Sequence, residues 1–200
     1  MAEPILFYFD FLSPYGYLGS IEVERMAARL GRQVEWRPVL LGVTVLKVMG
    51  LKALPDTPLK KDYVAHDLER CARLMRIPFN RPDAPMQPLA AMRAYTWLAG
   101  QDAALAKRFG QAVYRTHWAE ATDMSSPLAV AKVAAALGVD PAALLEAIGS
   151  APVKQALHQA VEAAIAAGVF GVPSFVVGGE MFWGADRLPM VERWIETGGW

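Results

Sequence analysis

The sequence predicts an α/β fold in which a βαβ unit and a ββα unit flank a long, all-helical insertion. Three observations predict it. Short apolar runs of strand type stand only near the two ends, at Ile5–Phe9, Gln33–Pro38, Ser174–Val177 and Glu180–Trp183. Between about Leu40 and Ala167 the apolar residues recur instead at helical spacing. That middle stretch also carries helix punctuation: Ser126-Pro127 and Asp140-Pro141 as cap-plus-first-turn pairs, with Gly138, Gly149 and Gly168 beyond the helix ends.

Each element follows in order. Ile5–Phe9 (ILFYF), bounded by Pro4 and Asp10, reads as a buried strand. Tyr17 to Leu30 places Leu18, Ile21, Val23, Met26, Ala27 and Leu30 on a helical period, and Gly31 ends it. Gln33–Pro38 alternates, with Val34 and Trp36 on one face. Strand–helix–strand implies a parallel pair joined by a right-handed crossover. Thr57–Leu74, Leu89–Leu98, Ala103–Trp118, Pro127 to Gly138, Pro141 to Gly149 and Val153–Ala167 are predicted helices. Ser174–Val177 and Glu180–Trp183 form a hairpin across Gly178-Gly179. Asp186 is the expected N-cap of a last helix, Arg187–Thr197. The predicted domains are 1–39 with 168–200, built on the sheet, and 40–167, the helical insertion.

Composition narrows the function. A chain of 200 residues, 54% hydrophobic, buries a sizeable core without a staple. The 20 Lys+Arg balance the 20 Asp+Glu, which argues against a dedicated nucleic-acid binder. No apolar run reaches the ~20 residues of a membrane helix, so no membrane association is expected. Met1–Asp10 lacks the basic start and apolar core of a secretory leader, and a cytoplasmic location is expected. The single cysteine, Cys71, excludes an internal disulfide, a CxxC pair and a Cys-rich zinc site. It reads as a small buried hydrophobe. His66, His117 and His158 are too scattered for a metal motif, and no metal is predicted.

Three motifs carry chemistry. Ser13-Pro14-Tyr15-Gly16 follows the first strand, where a helix N-terminus offers N–H groups and positive potential to an anion. Taken alone, Ser13 reads first as a plain N-cap. Gly171-Val172-Pro173-Ser174 sets a proline directly before a strand. A cis Val172–Pro173 bond would free the Val172 backbone for an extended peptide, and an ordinary trans proline is the alternative. Trp183-Gly184-Ala185-Asp186-Arg187 sets a carboxylate at a helix start, suited to a ligand ammonium or simply to capping. In combination, S-P-Y-G after the first strand and V-P before the third make the thioredoxin layout, with Ser13 and Gly16 where two cysteines usually stand.

Three stretches and their order make the resemblance specific: FYFDFLSPYGYL (7–18), PLKKDYVAHDLERCARLMRIPF (58–79) and VFGVPSFVVGGEMFWGADRLPMVE (169–192). The chain resembles the 2-hydroxychromene-2-carboxylate isomerases, relatives of the kappa-class glutathione transferases in the DsbA-like thioredoxin group. The resemblance covers nearly the whole chain and is loosest between Arg81 and Pro152. It implies a glutathione-dependent cis–trans isomerase that interconverts 2-hydroxychromene-2-carboxylate and trans-o-hydroxybenzylidenepyruvate in naphthalene-type aromatic catabolism. It also implies a homodimer. By the same resemblance, Ser13 is the catalytic serine that holds the glutathione thiolate. Val172 and Pro173 meet the cysteinyl unit, Asp186 binds the γ-glutamyl amine, Ala185 is a glutathione contact with only its backbone to offer, and Lys60 lies near the tripeptide. Leu51 replaces an Asn that touches glutathione in kappa relatives, and Ala185 replaces a Ser or Asn, so each can cost a hydrogen bond of about 1 kcal/mol.

The implied chemistry is covalent catalysis by a ligand's thiolate, which adds to a conjugated enone, lets a single bond rotate and then leaves. Lys60, Lys61, Arg93 and Arg115 are candidates for the substrate carboxylate. Phe11, Tyr63, Trp118 and Tyr114 are candidates for an apolar wall against the small aromatic carboxylate substrate, and each reads also as core. Two other functions fit the motifs: a kappa-like transferase or peroxidase acting on another electrophile, and a non-catalytic module that binds glutathione or a peptide. A dithiol oxidoreductase is excluded by Gly16.

Overall fold

The computed structural model describes residues 3–83 and 85–200, so Met1, Ala2 and Ala84 lie outside the described residues, and the leader reading at Met1–Asp10 falls partly on them. One mixed sheet of four strands has the order β2-β1-β3-β4. β1 (Ile5–Phe9) runs parallel to β2 (Val34–Pro38), with Phe7 beside Trp36. It runs antiparallel to β3 (Ser174–Val177), with Tyr8 beside Ser174. β4 (Glu180–Trp183) pairs with β3 across the Gly178-Gly179 turn, where both glycines have positive φ.

α1 (Pro14–Leu30) starts three residues before the predicted Tyr17, because Ser13 caps it and Pro14 occupies its first turn. It covers the sheet face that carries Phe7, Trp36 and Phe175. Phe7 stacks on Phe175 at 5.5 Å and meets Trp36 edge-on at 4.9 Å. Trp36 Nε1 donates to Glu24 Oε1 on α1 at 2.8 Å, which satisfies the indole N–H. Gly19 permits the close approach: a Cβ there would stand 3.2 Å from both Phe175 Cζ and Pro173 Cγ. α8 (Leu188–Thr197) packs on the same side, with Arg29 bonded to Glu192 at 2.8 Å and Phe182 against Trp194. A second cluster contains Tyr8, Val39, Ala164, Val169 and Val172, with Leu6, Leu41, Val176 and Met181 against it. Successive residues of a strand point to opposite faces, so Tyr8 and Val176 lie across the sheet from Phe7 and Phe175.

The chain forms two compact units. One holds the sheet and comprises the residues up to Ile77 together with Ala164–Trp200; the other is Pro78–Ala163. The sequence division at 39 and 167 instead grouped residues 40–77 with the helices. In the structure that segment holds a wide, π-type helical stretch at Gly42–Val48, a short 3-10 turn at Leu54–Asp56, and α2 (Lys60–Met75). α2 starts at Lys60 rather than Thr57 because Leu59 takes a left-handed conformation, φ 68°. It belongs with the sheet because α1 grips it: Tyr15 Oη donates to Asp67 at 2.7 Å, and Arg25 donates to Met75 O at 3.2 Å.

The helical unit holds α3 (Leu89–Ala99), α4 (Ala103–Trp118), α5 (Pro127–Ala135), α6 (Pro141–Gly149) and most of α7 (Ala151–Ala166). Asp102, Ser126 and Asp140 accept first-turn N–H groups, as N-caps should. Gly19 gives the test of the sheet unit's packing. Gly19→Val forces a branched side chain between Phe175 and Pro173, and equilibrium urea unfolding is expected to show a loss of about 1–3 kcal/mol.

Candidate active site

β1 delivers the chain into a tight turn. The Ser13 N–H donates to Asp10 O at 2.9 Å, and the Leu12 N–H donates to Asp10 Oδ1 at 3.0 Å. Ser13 then caps α1, its Oγ accepting the Gly16 N–H at 3.0 Å. Pro14 has no N–H, and the Tyr17 N–H goes to Ser13 O. Among the described hydrogen bonds the Tyr15 N–H therefore has no acceptor, at the positive end of a 17-residue helix.

The second motif faces this turn. The Val172–Pro173 peptide is cis. The pairing of Tyr8 with Ser174 brings the loop before β3 beside the exit of β1. Ser13 is 6% exposed, and its Oγ stands 3.5 Å from Val172 O. An O–H···O bond normally spans about 2.5–3.0 Å, so this contact holds the hydroxyl proton weakly. A closer acceptor can take it. The Val172 N–H has no acceptor among the described hydrogen bonds.

The third motif is tied to the second by the Gly184 N–H, which donates to Pro173 O at 2.9 Å. Gly184 sits at φ 116°, and a Cβ there would collide with Asp186 Oδ1. One expectation is corrected here: Asp186 does not cap the last helix. A 3-10 turn, Ala185–Arg187, intervenes, and α8 begins at Leu188 with no side-chain cap. The Asp186 side chain is left 71% exposed, with Arg187 Nε at 3.6 Å. Ala185 is buried and has only its backbone to present.

The other candidates scatter. Lys60 and Lys61 are exposed at the start of α2. Tyr63, on the same helix, is exposed, and its hydroxyl accepts from Arg70 at 3.2 Å. Phe11 is 1% exposed and packs edge-on against Phe9, a core position. Trp118 belongs to the helical unit, where it is buried and packs on Phe79 and His117. Tyr114 is buried in that unit, Arg93 half-buried, and Arg115 pairs with Glu120 at 3.2 Å. Leu51 is exposed in the segment before α2.

Sequence reasoning missed three features. Phe170 and Trp183 form an edge-on pair, 38% and 52% exposed, beside the Val172 loop. The tight spacing of Gly171 shows how close: a Cβ there would stand 2.7 Å from Trp183 Nε1. The signal was Phe170 immediately before G-V-P and Trp183 at the end of the returning strand. Cys71 is far from Ser13 in sequence, but its thiol stands 3.7 Å from Asp67, the residue that holds Tyr15. Burial pushes the Cys71 thiol up, and the Asp67 and Asp186 charges add to this, so the thiol stays protonated. Hydrogen bonds from Tyr15 and Arg70 overcome burial and hold Asp67 below the usual carboxylate range. The third feature is Asp10. It is fully buried, and burial pushes its carboxyl up from 3.8 to about 6 against the pull of the Leu12 and Leu41 N–H groups.

Comparison with known proteins places this geometry. The model of the DSBA-like thioredoxin domain matches residues 4–196. The 2-hydroxychromene-2-carboxylate isomerase of Sphingobium xenophagum is 32% identical, over 98% of this chain and 99% of that protein. The chain belongs to the 2-hydroxychromene-2-carboxylate isomerase family. A solved 2-hydroxychromene-2-carboxylate isomerase superposes with a TM-score of 0.85 at 30% identity, covering 96% of this chain and 94% of the isomerase chain. Human glutathione S-transferase kappa 1 is 28% identical over 98% of this chain and 94% of that protein. No group of three His, Cys, Asp or Glu fit for a metal occurs among the described residues, and none of their helices is long and apolar enough to cross a membrane.

Two measurements test the site. Folding raises the Asp10 pKa, so its contribution to stability is full below 3.8 and is lost as pH rises through about 6. Carbon NMR is expected to place the Asp10 midpoint near 6, and Asp10→Asn is expected to remove that downward slope from stability measured between pH 4 and 7. Gly184→Ala sets a Cβ against Asp186 Oδ1 at a φ of 116°, and equilibrium urea unfolding is expected to show a loss of about 1 kcal/mol or more.

Proposed function

We propose that this chain is a glutathione-dependent isomerase interconverting 2-hydroxychromene-2-carboxylate and trans-o-hydroxybenzylidenepyruvate. Its family is that of the isomerases, and the activity follows from it. The observation that carries the glutathione reading is the Ser13 hydroxyl, set 3.5 Å from the Val172 carbonyl at a helix N-terminus, with no cysteine of the chain at that position. The groups fit the tripeptide. Ser13 Oγ–H and the Tyr15 N–H are donors for a thiolate, the Val172 backbone for the cysteinyl unit, and the exposed Asp186 carboxylate for the γ-glutamyl ammonium. Bound glutathione supplies a thiolate able to add reversibly to the conjugated double bond and so permit rotation.

The chain's own work is electrostatic. Ser13 and the α1 N-terminus favour the thiolate over the thiol. Asp186 fixes the tripeptide at its other end. Phe170 and Trp183 offer an apolar surface beside the Val172 loop, and Lys60 or Lys61 is assigned to a carboxylate. Leu51 and Ala185 contribute no side-chain hydrogen bond, so backbone groups hold more of the ligand here. We further propose a cytoplasmic homodimer, on the family resemblance and on the reducing conditions a thiol cofactor needs.

The test is isomerisation followed by ultraviolet absorbance. Activity is expected to require glutathione and to fall about 100-fold or more in Ser13→Ala, the size of losing one positioned donor to an anion. Conjugation of a generic electrophile without isomerisation would make the protein a kappa-like transferase. Absence of glutathione binding would leave a peptide-binding module.

A further inference from the structure

One buried carboxylate joins two chain segments beside the site. Asp10 has no exposed surface. Its Oδ1 accepts the Leu12 N–H at 3.0 Å, and its Oδ2 accepts the Leu41 N–H at 2.8 Å. Its own carbonyl accepts the Ser13 N–H at 2.9 Å. Leu12 lies in the turn that ends at Ser13. Leu41 opens the π-type stretch Gly42–Val48, which leads to Leu51.

A carboxylate is an expensive group to bury, and burial is the largest influence on this one. A neutral side chain of the same shape would cost less but could not replace it. Asparagine has one acceptor oxygen, and its amide nitrogen would face an N–H. Each of the two oxygens here serves a different segment, so both are needed. The strand exit therefore carries a bidentate acceptor whose partners are backbone groups on the two segments that follow β1 and β2.

We propose that Asp10 is a positioning residue: its carboxylate clamps the Ser13 turn to the segment opening at Leu41, and the aim of the Ser13 hydroxyl and Tyr15 N–H depends on both bonds. Its kinetic consequence rests on the isomerase reading. The clamp itself does not.

The experiment combines amide hydrogen exchange by NMR with steady-state kinetics on the full chain. In wild type the Leu12 and Leu41 amides are expected to be protected from exchange. In Asp10→Asn one of the two is expected to lose protection while the molecule stays folded. With glutathione saturating, kcat is expected to fall about 10–100-fold, the penalty for misplacing a catalytic group by about 1 Å, with KM changed less than about threefold. A merely structural loss would instead lower the active fraction, leaving kcat per folded molecule unchanged. Rapid exchange of either amide in wild type overturns the clamp, and this holds even if Asp10→Asn fails to fold. Full kcat in a folded Asp10→Asn overturns the positioning role. If wild type shows protected amides but no isomerisation, the function reading fails and the clamp stands.

Discussion

The antiparallel register between β1 and β3 is the constraint on which the rest depends. Tyr8 stands beside Ser174 and Phe7 beside Phe175. Carried two residues further, that register sets the Val172–Pro173 loop against the exit of β1. A slip of one residue would turn Phe175 away from α1 and move the loop off the Ser13 turn. The core enforces the register: Phe7, Trp36 and Phe175 interlock beneath α1, and Gly19 lets that helix come close enough to touch Pro173. The site is therefore a by-product of packing. Two motifs 159 residues apart in sequence meet because the central strand pairs on both edges.

The proposed thiolate site stands on a thioredoxin-like scaffold that has no sulfur of its own at the turn after β1. That proposal relies on the Ser13 hydroxyl and the first turn of α1 as donors, and Gly16 adds no second thiol. Burial and the Asp67 and Asp186 charges favour the protonated form of the chain's own cysteine. The net charge is zero, so any pull on an anionic ligand is local. It comes from a helix N-terminus and a few basic side chains rather than from a field over the whole protein.

Much of this was legible in the residues. All four strands, the Gly178-Gly179 turn and the Ser-Pro and Asp-Pro helix starts stand where pattern and capping chemistry put them. Those signals are local, and local physics decides them. What escaped depends on contacts between distant residues. Residues 40–77 read as part of the helical region, because only the Tyr15–Asp67 and Arg25–Met75 bonds reveal that α2 packs on α1. Asp186 read as a cap, and only the φ of 116° at Gly184 shows the turn that frees it. Asp10 marked the end of a strand and nothing more, since its second partner, Leu41, lies beyond a helix and another strand. Phe170 lies outside every strand and Trp183 at the end of one, thirteen residues apart in sequence, and only the hairpin sets them beside each other.

The central claim is that Ser13 and the α1 N-terminus stabilise a thiolate supplied by a ligand. The direct measurement is the ultraviolet thiolate absorbance of bound glutathione, titrated with pH in wild type and in Ser13→Ala. The expected result is a bound thiol in wild type with its pKa lowered by roughly one to two units from the free value, and most of that shift lost in Ser13→Ala. A bound thiol that titrates as free glutathione does in wild type would contradict the account.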